Sequence, residues 1–166
     1  MDLLLDQLMG LLDQETKLYQ SMHTVIRKEK DAVIQSELNA LNEAVKEKEN
    51  LLLKLRILEE HRTQLAMRLA KILNYPPQDL TLNMVAQVVD EPYAGQLKKY
   101  SANLSELLAT VKEANHRNKT LFEHSIELLR GSFNLLSELM VSNTIYYRTG
   151  NIQHQNPTGK LLHGEI

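Results

Sequence analysis

Apolar residues recur at steps of three and four along most of this chain. That spacing places them on one face of an α-helix, not alternately on the two faces of a strand. From Asp2 to Val33 the stripe is Leu4, Leu8, Leu11, Leu12, Leu18, Tyr19, Met22, Val25 and Ile26, with one gap at Glu15. It predicts a first helix that ends at Ile34-Gln35-Ser36, where the Ser36 hydroxyl is placed to cap the next helix by accepting a backbone N–H. Neither Pro nor Gly marks this turn.

The second segment runs from Glu37 to Asn74. Leu38, Leu41, Val45, Lys48, Leu52, Leu55, Glu59, Arg62, Ala66, Leu69 and Leu73 fall in alternating steps of three and four. Lys48, Glu59 and Arg62 spoil a strict seam, while Leu51, Leu58, Leu65 and Ile72 widen the stripe, as in a bundle helix. Such a helix is about 55 Å long, and Tyr75-Pro76-Pro77 stops it because proline can neither donate nor continue the turn. A short element follows, Thr81 to Val89, with Thr81 as its cap. Asp90-Glu91-Pro92 punctuates the chain, and Pro92 stands at the first turn of a last helix reaching Val141. The stripe of that helix is Leu97, Tyr100, Leu104, Leu108, Val111, Asn115, Asn118, Phe122, Ser125, Leu129, Phe133, Leu136 and Met140. Gly131 within it lowers helix propensity by about 1 kcal/mol against Ala and allows a local bend.

After Ser142 the period is lost. Asn143 to Ile166 holds three of the 6 glycines, together with Pro157 and many polar residues, and reads as a poorly ordered, flexible tail. Ile145, Tyr146, Tyr147, Ile152, Leu161, Leu162 and Ile166 are nonetheless spread through it, more large apolar groups than an inert tail would carry. The expected architecture is all-α: an elongated antiparallel bundle or coiled coil of three long helices plus one short helix. It divides into a bundle domain over 1–142 and a partner-binding tail over 143–166.

Composition narrows the function. At 166 residues the chain suffices for one domain. With 19 basic and 21 acidic residues the net charge is -2, which leaves no basic surplus for gripping phosphates and argues against nucleic acid. There are no cysteines, so disulfides, thiolate nucleophiles and thiolate metal sites are excluded. Asp2, Asp6 and Asp13 interrupt the leading leucines and the first base is Lys17, so the N-terminus reads as an amphipathic helix start and not an export signal. No apolar stretch approaches the roughly 18 residues of a membrane span, so membrane insertion is not expected. A cytoplasmic protein is the expectation. Trp is absent and Phe occurs only 2 times, so the core must be aliphatic.

Catalytic patterns are scarce. Glu113-Ala-Asn-His116 matches the Glu-x-x-His half-site of a di-metal bundle, but no second copy exists, and Glu113 stands four residues before Arg117, an ordinary surface partner. His23, His61, His124, His154 and His163 show no ligand spacing, and nothing resembles a nucleophile elbow or a phosphate-binding glycine loop. The expectation is a protein that is not an enzyme and has no cofactor and no metal. Asn115 and Asn118 are more informative, because they occupy stripe positions that call for apolar groups, three apart and so on one face. They read as a register-setting polar core layer that hydrogen-bonds between helices; direct contact with a partner is the other reading.

These residues resemble the FlgN family of flagellar export chaperones. Glu29-Lys-Asp-Ala-Val-Ile-Gln-Ser-Glu-Leu-Asn-Ala-Leu-Asn-Glu, followed by Lys48-Glu49-Asn50-Leu51-Leu52, looks like that family's hairpin. Asn115-His-Arg-Asn118-Lys-Thr-Leu121-Phe122 is similar to its Asn-x-x-Asn-x-x-Leu-Leu segment. The Tyr146-Tyr147 pair before a glycine-containing polar stretch resembles its Tyr-Gly-x-x-Gly ending, with Arg148 and Thr149 intervening before Gly150. The resemblance implies a cytoplasmic chaperone whose partners are the hook–filament junction proteins and the flagellar export gate. It would bind the helical C-terminal region of the junction proteins, prevent their premature assembly and deliver them to the gate. The candidate partner-binding residues are Leu136, Leu139, Met140, Ile145, Tyr146, Tyr147, Ile152, Leu161 and Leu162, in a monomer or weak dimer. A structural coiled-coil adaptor that self-associates through its stripes is the alternative.

Overall fold

A computed structural model describes residues 1–141. The elements are α1 (Asp2–Ile34), α2 (Leu38–Leu73), a 3-10 turn (Pro77–Asp79), α3 (Leu82–Val88) and α4 (Tyr93–Val141). Among the described residues there is no strand. The chain divides into two compact units, Met1–Leu121 and Phe122–Ile166, and α4 contributes to both.

In the first unit α1 and α2 form an antiparallel hairpin. Its turn is built differently from the serine cap expected above. Ser36 takes a left-handed backbone with φ 58°. Its N–H reaches Val33 O at 3.1 Å, and Glu37 N–H reaches Ala32 O at 2.9 Å. This pair of bonds closes a helix C-terminus by satisfying carbonyls that have no partner further along. Ser36 therefore ends α1 and does not cap α2, whose preceding residue, Glu37, makes no side-chain cap bond. The α2 terminus repeats the device: Asn74 is left-handed at φ 53°, Tyr75 N–H reaches Ala70 O at 2.9 Å, and Pro76 follows. At α3 the Thr81 hydroxyl accepts from Met84 N at 3.3 Å, the cap that the sequence indicated. At the start of α4, which begins one residue after Pro92, a Glu91 carboxylate oxygen accepts from Gly95 N at 3.1 Å.

The hairpin seam follows a heptad. On α1 it reads Leu5, Leu8, Leu12, Glu15, Tyr19, Met22, Ile26 and Glu29. On α2 it reads Ala44, Lys48, Leu51, Leu55, Leu58, Arg62, Leu65 and Leu69. The α2 stripe read from sequence is displaced by part of a turn from this seam: its Leu38, Val45 and Leu52 are exposed, whereas of the residues that widened it Leu51, Leu58 and Leu65 are buried and Ile72 is exposed. Two apolar clusters result. The larger joins Leu5, Leu8 and Leu12 of α1 to Leu65 and Leu69 of α2, Val85 and Ala86 of α3, and Ala94, Leu97 and Leu104 of α4. The smaller joins Met22, Val25 and Ile26 to Ala44 and Leu51, with Val111 and Ala114 of α4 only half-buried against it. Burying each such leucine or isoleucine contributes roughly 1.5–3 kcal/mol. Within this unit α4 runs parallel to α1: Tyr93 donates to Asp6 Oδ1 at 2.7 Å and Asn118 donates to Ile26 O at 2.7 Å.

Candidate functional site

Two polar layers interrupt the first unit's cores. In one, Arg62 Nε lies 3.1 Å from Glu15 Oε1, and a guanidinium nitrogen of Arg62 donates to Glu59 Oε1 at 2.6 Å. Here one cation faces two carboxylates. Burial raises the Glu15 carboxyl above its ordinary value; Arg62 pulls it back only in part, and Glu59 pushes it further up. Burial also raises the Tyr19 phenol, reinforced by Glu15 and Glu59. Burial works against the Arg62 charge, but the Glu59 hydrogen bond and both carboxylates outweigh it and raise its pKa. This layer lies beside a cleft of about 360 Å³, lined among others by Leu12, Tyr19, Leu82, Val85, Leu104 and Leu108.

In the second layer Lys48 Nζ donates to Glu29 Oε2 at 2.9 Å and to Asn115 Oδ1 at 2.8 Å. Asn118 Nδ2 donates to Ile26 O at 2.7 Å and reaches Glu29 Oε2 at 3.4 Å. Asn118 and Glu29 are each 3 % exposed, whereas Asn115 is exposed. The two asparagines named in the sequence thus join one network from different depths. Of the side chains that gapped the stripes, Arg62 is the partner of Glu15 and Glu59, while Lys48 pairs with Glu29, an acid beyond the α1 stripe as read; the stripes taken singly did not reveal either pairing. The sequence signal lies in the spacing, since Glu15 and Glu29 are two heptads apart on α1, as are Lys48 and Arg62 on α2.

The second unit differs in character. Every described side chain from Ile126 to Met140 is exposed. Ile126, Leu129, Phe133, Leu136 and Met140 fall at steps of three and four, and Leu128, Leu135 and Leu139 widen the apolar arc beside them. Glu123, Glu127, Arg130 and Glu138 lie on the other side of the helix. Leu136, Leu139 and Met140 are 55 %, 66 % and 71 % exposed. These side chains form a continuous exposed apolar face among the described residues. Ile145, Tyr146, Tyr147, Ile152, Leu161 and Leu162 lie outside the described residues, as does the tail assigned to 143–166. Helix α4 continues through Gly131, where an added Cβ would meet nothing within 4 Å.

Among the described residues the histidines add no convergent chemistry. His61, His116 and His124 are exposed, His23 is half-buried, and Glu113 is held by Arg117 at 2.8 Å. Among the described residues no three side chains of metal-binding type converge, and no helix is long and apolar enough to cross a membrane.

A helical hairpin braced by a third helix, with an exposed leucine-rich segment further along that helix, defines an all-helical protein. The family model described as FlgN protein matches residues 1–154, and the chain belongs to that family. It is a chaperone family linked to the flagellum and to its export substrates, and it is not known for enzymatic activity. No curated protein and no solved structure matches the chain.

Proposed function

We propose that this protein is a cytoplasmic chaperone of flagellar type III export. It binds the C-terminal helical region of hook–filament junction proteins, prevents their premature assembly and delivers them to the export gate. The observation that carries this reading is the run of exposed apolar side chains from Ile126 to Met140, in a chain whose family serves export substrates. An amphipathic client helix would lay its apolar side on Leu136, Leu139 and Met140. Ile145, Tyr146, Tyr147, Ile152, Leu161 and Leu162 of the tail, residues 143–166, would close over the same client. Each anchor contributes on the order of 1.5–3 kcal/mol before the tail's ordering entropy is subtracted, a balance that suits binding followed by release. The 1–142 bundle serves as scaffold, with Asn118 in its polar core layer and Asn115, expected in that layer but exposed, joining it from the surface through Lys48.

The test is a chain ending at Ser142, compared with the full chain for binding to the isolated C-terminal helix of a junction protein. The shortened chain is expected to keep its helical circular dichroism and to lose binding. Equal affinity of the two chains would reject the tail's role. A second variant, Leu136→Glu with Leu139→Glu, should fold normally because both positions are exposed, and should bind at least tenfold more weakly. If the native chain instead forms a stable homodimer that this variant dissociates, the self-associating adaptor becomes the better reading.

A further inference from the structure

The two ion-paired layers of the α1–α2 seam stand in a relation that neither family membership nor client binding requires. Glu15 meets Arg62 at 3.1 Å and Glu29 meets Lys48 at 2.9 Å. Both acids lie on α1 and both bases on α2, two heptads apart on each helix. All four occupy seam positions otherwise taken mainly by leucine, isoleucine and methionine. Glu29 is 3 % exposed and Glu15 7 %. Buried charges in a helix seam cost desolvation, and replacing them by apolar groups commonly leaves stability equal or higher. Their best-attested use in paired helices is to fix register and choice of partner.

We infer that these four side chains are a pairing code, which admits α2 as the seam partner of α1 in one antiparallel register and rejects the alternatives. In the one-heptad slip that brings Lys54 towards Lys28, Glu15 faces Leu69, Glu29 faces Leu55 and Arg62 faces Met22, while Lys48 is left beside the turn at Ser36. Pairing α1 with a second α1 brings carboxylates together or buries them against apolar side chains. Pairing α2 with a second α2 does the same with cations. Each alternative that uses α1 leaves the buried carboxylates without a counter-ion, and pairing α2 with itself sets the half-exposed Lys48 and Arg62 in an apolar seam without their acids, whereas the native register satisfies all four groups at once. An all-apolar heptad seam has no such discrimination, because leucine packs equally well in every register and in either kind of pair.

The experiment uses the full chain, which has no cysteine of its own. Lys28 Nζ and Glu47 Oε2 are 2.7 Å apart across the hairpin, so Lys28→Cys with Glu47→Cys reports the native register to a short thiol cross-linker. Lys28→Cys with Lys54→Cys reports a slip of one heptad. In the native seam only the first pair should cross-link. The variant Glu15→Leu, Arg62→Leu, Glu29→Leu, Lys48→Leu should retain helical circular dichroism and melt at an equal or higher temperature. It should also cross-link through the slipped pair, or sediment as larger species than the native chain does. If it cross-links only through the first pair and sediments as the native chain does, the hairpin turn alone sets the pairing and the inference is overturned. Should that variant fail to fold, the fully reversed chain decides (Glu15→Arg, Arg62→Glu, Glu29→Lys, Lys48→Glu). The acids are reversed first (Glu15→Arg with Glu29→Lys) and the bases added second: loss of the native cross-link in the first step and its recovery in the full reversal supports the code, whereas retention in the first step, or no recovery in the second, overturns it.

Discussion

Leu97 and Leu129 belong to one apolar stripe of one helix, yet they should behave as different kinds of residue. Leu97 is 0 % exposed, in the cluster where α4 meets α1, α2 and α3, whereas Leu129 is 59 % exposed. Leu97→Ala removes buried carbons and leaves a cavity that neighbours on several helices cannot all collapse to fill, at a cost of about 3–4 kcal/mol. For a domain of this size that lowers the melting temperature by roughly 8–12 °C. Leu129→Ala removes carbons already in water and should change stability by less than about 0.5 kcal/mol. Its effect should fall on client binding, weakened by about 1–2 kcal/mol, or roughly 5- to 30-fold. Urea unfolding followed by circular dichroism supplies the first comparison, with equal slopes required before midpoints are converted to free energy. Titration with the client helix supplies the second. If the two substitutions destabilise equally, the distal part of α4 is packed in solution and the exposed-surface reading fails.

Three further outcomes follow from local geometry. Ser36→Gly should stabilise the protein by up to about 1 kcal/mol, because a left-handed backbone strains serine and not glycine; a lower melting temperature would contradict the turn described. Thr81→Ala should cost about 1 kcal/mol through loss of the α3 cap, visible as a lower urea midpoint. The Glu15 carboxyl is raised in the folded state, so the native chain binds its proton more readily than the unfolded chain does. Its contribution to stability should therefore rise as pH falls through the raised folded value towards the ordinary value of 4.5, and be lost as pH climbs back. Unfolding free energies of the native chain minus those of Glu15→Gln, measured across that interval, isolate the effect; a difference that shrinks on acidification would show the opposite shift.

Helices and their stops were legible because period and proline act locally: Pro76, Pro92 and Thr81 stand at or beside the boundaries they announced. The phase of α2 was not. Nearly every turn of that helix offers a leucine on more than one side, so Leu52 and Leu51 are equivalent until the partner helix is known. The same ambiguity hid the meaning of Glu15, Lys48 and Arg62, which look like flaws in one stripe and become pairs only when two stripes are laid antiparallel. Ser36 was misassigned because serine more often caps a following helix than adopts a left-handed backbone. On α4 the stripe is continuous from Leu97 to Met140, and nothing in its period distinguishes a buried half from an exposed one. The distinction comes from what packs alongside, which periodicity does not encode.

The tyrosines are placed in a way that has a spectroscopic use. Tyr19 and Tyr100 are half-buried, and Tyr93 is bonded to Asp6, all in the first unit. No tyrosine lies between Tyr100 and Tyr146, the chain has no tryptophan, and its 2 phenylalanines both lie in the second unit's part of α4. The leucine-rich segment is consequently dark in near-ultraviolet emission. A single Phe133→Trp substitution, at a side chain 67 % exposed, would give it the molecule's one indole signal. Client docking could then be followed by that emission, while far-ultraviolet circular dichroism, which does not depend on Tyr146 and Tyr147, reports separately whether the helical scaffold has stayed folded.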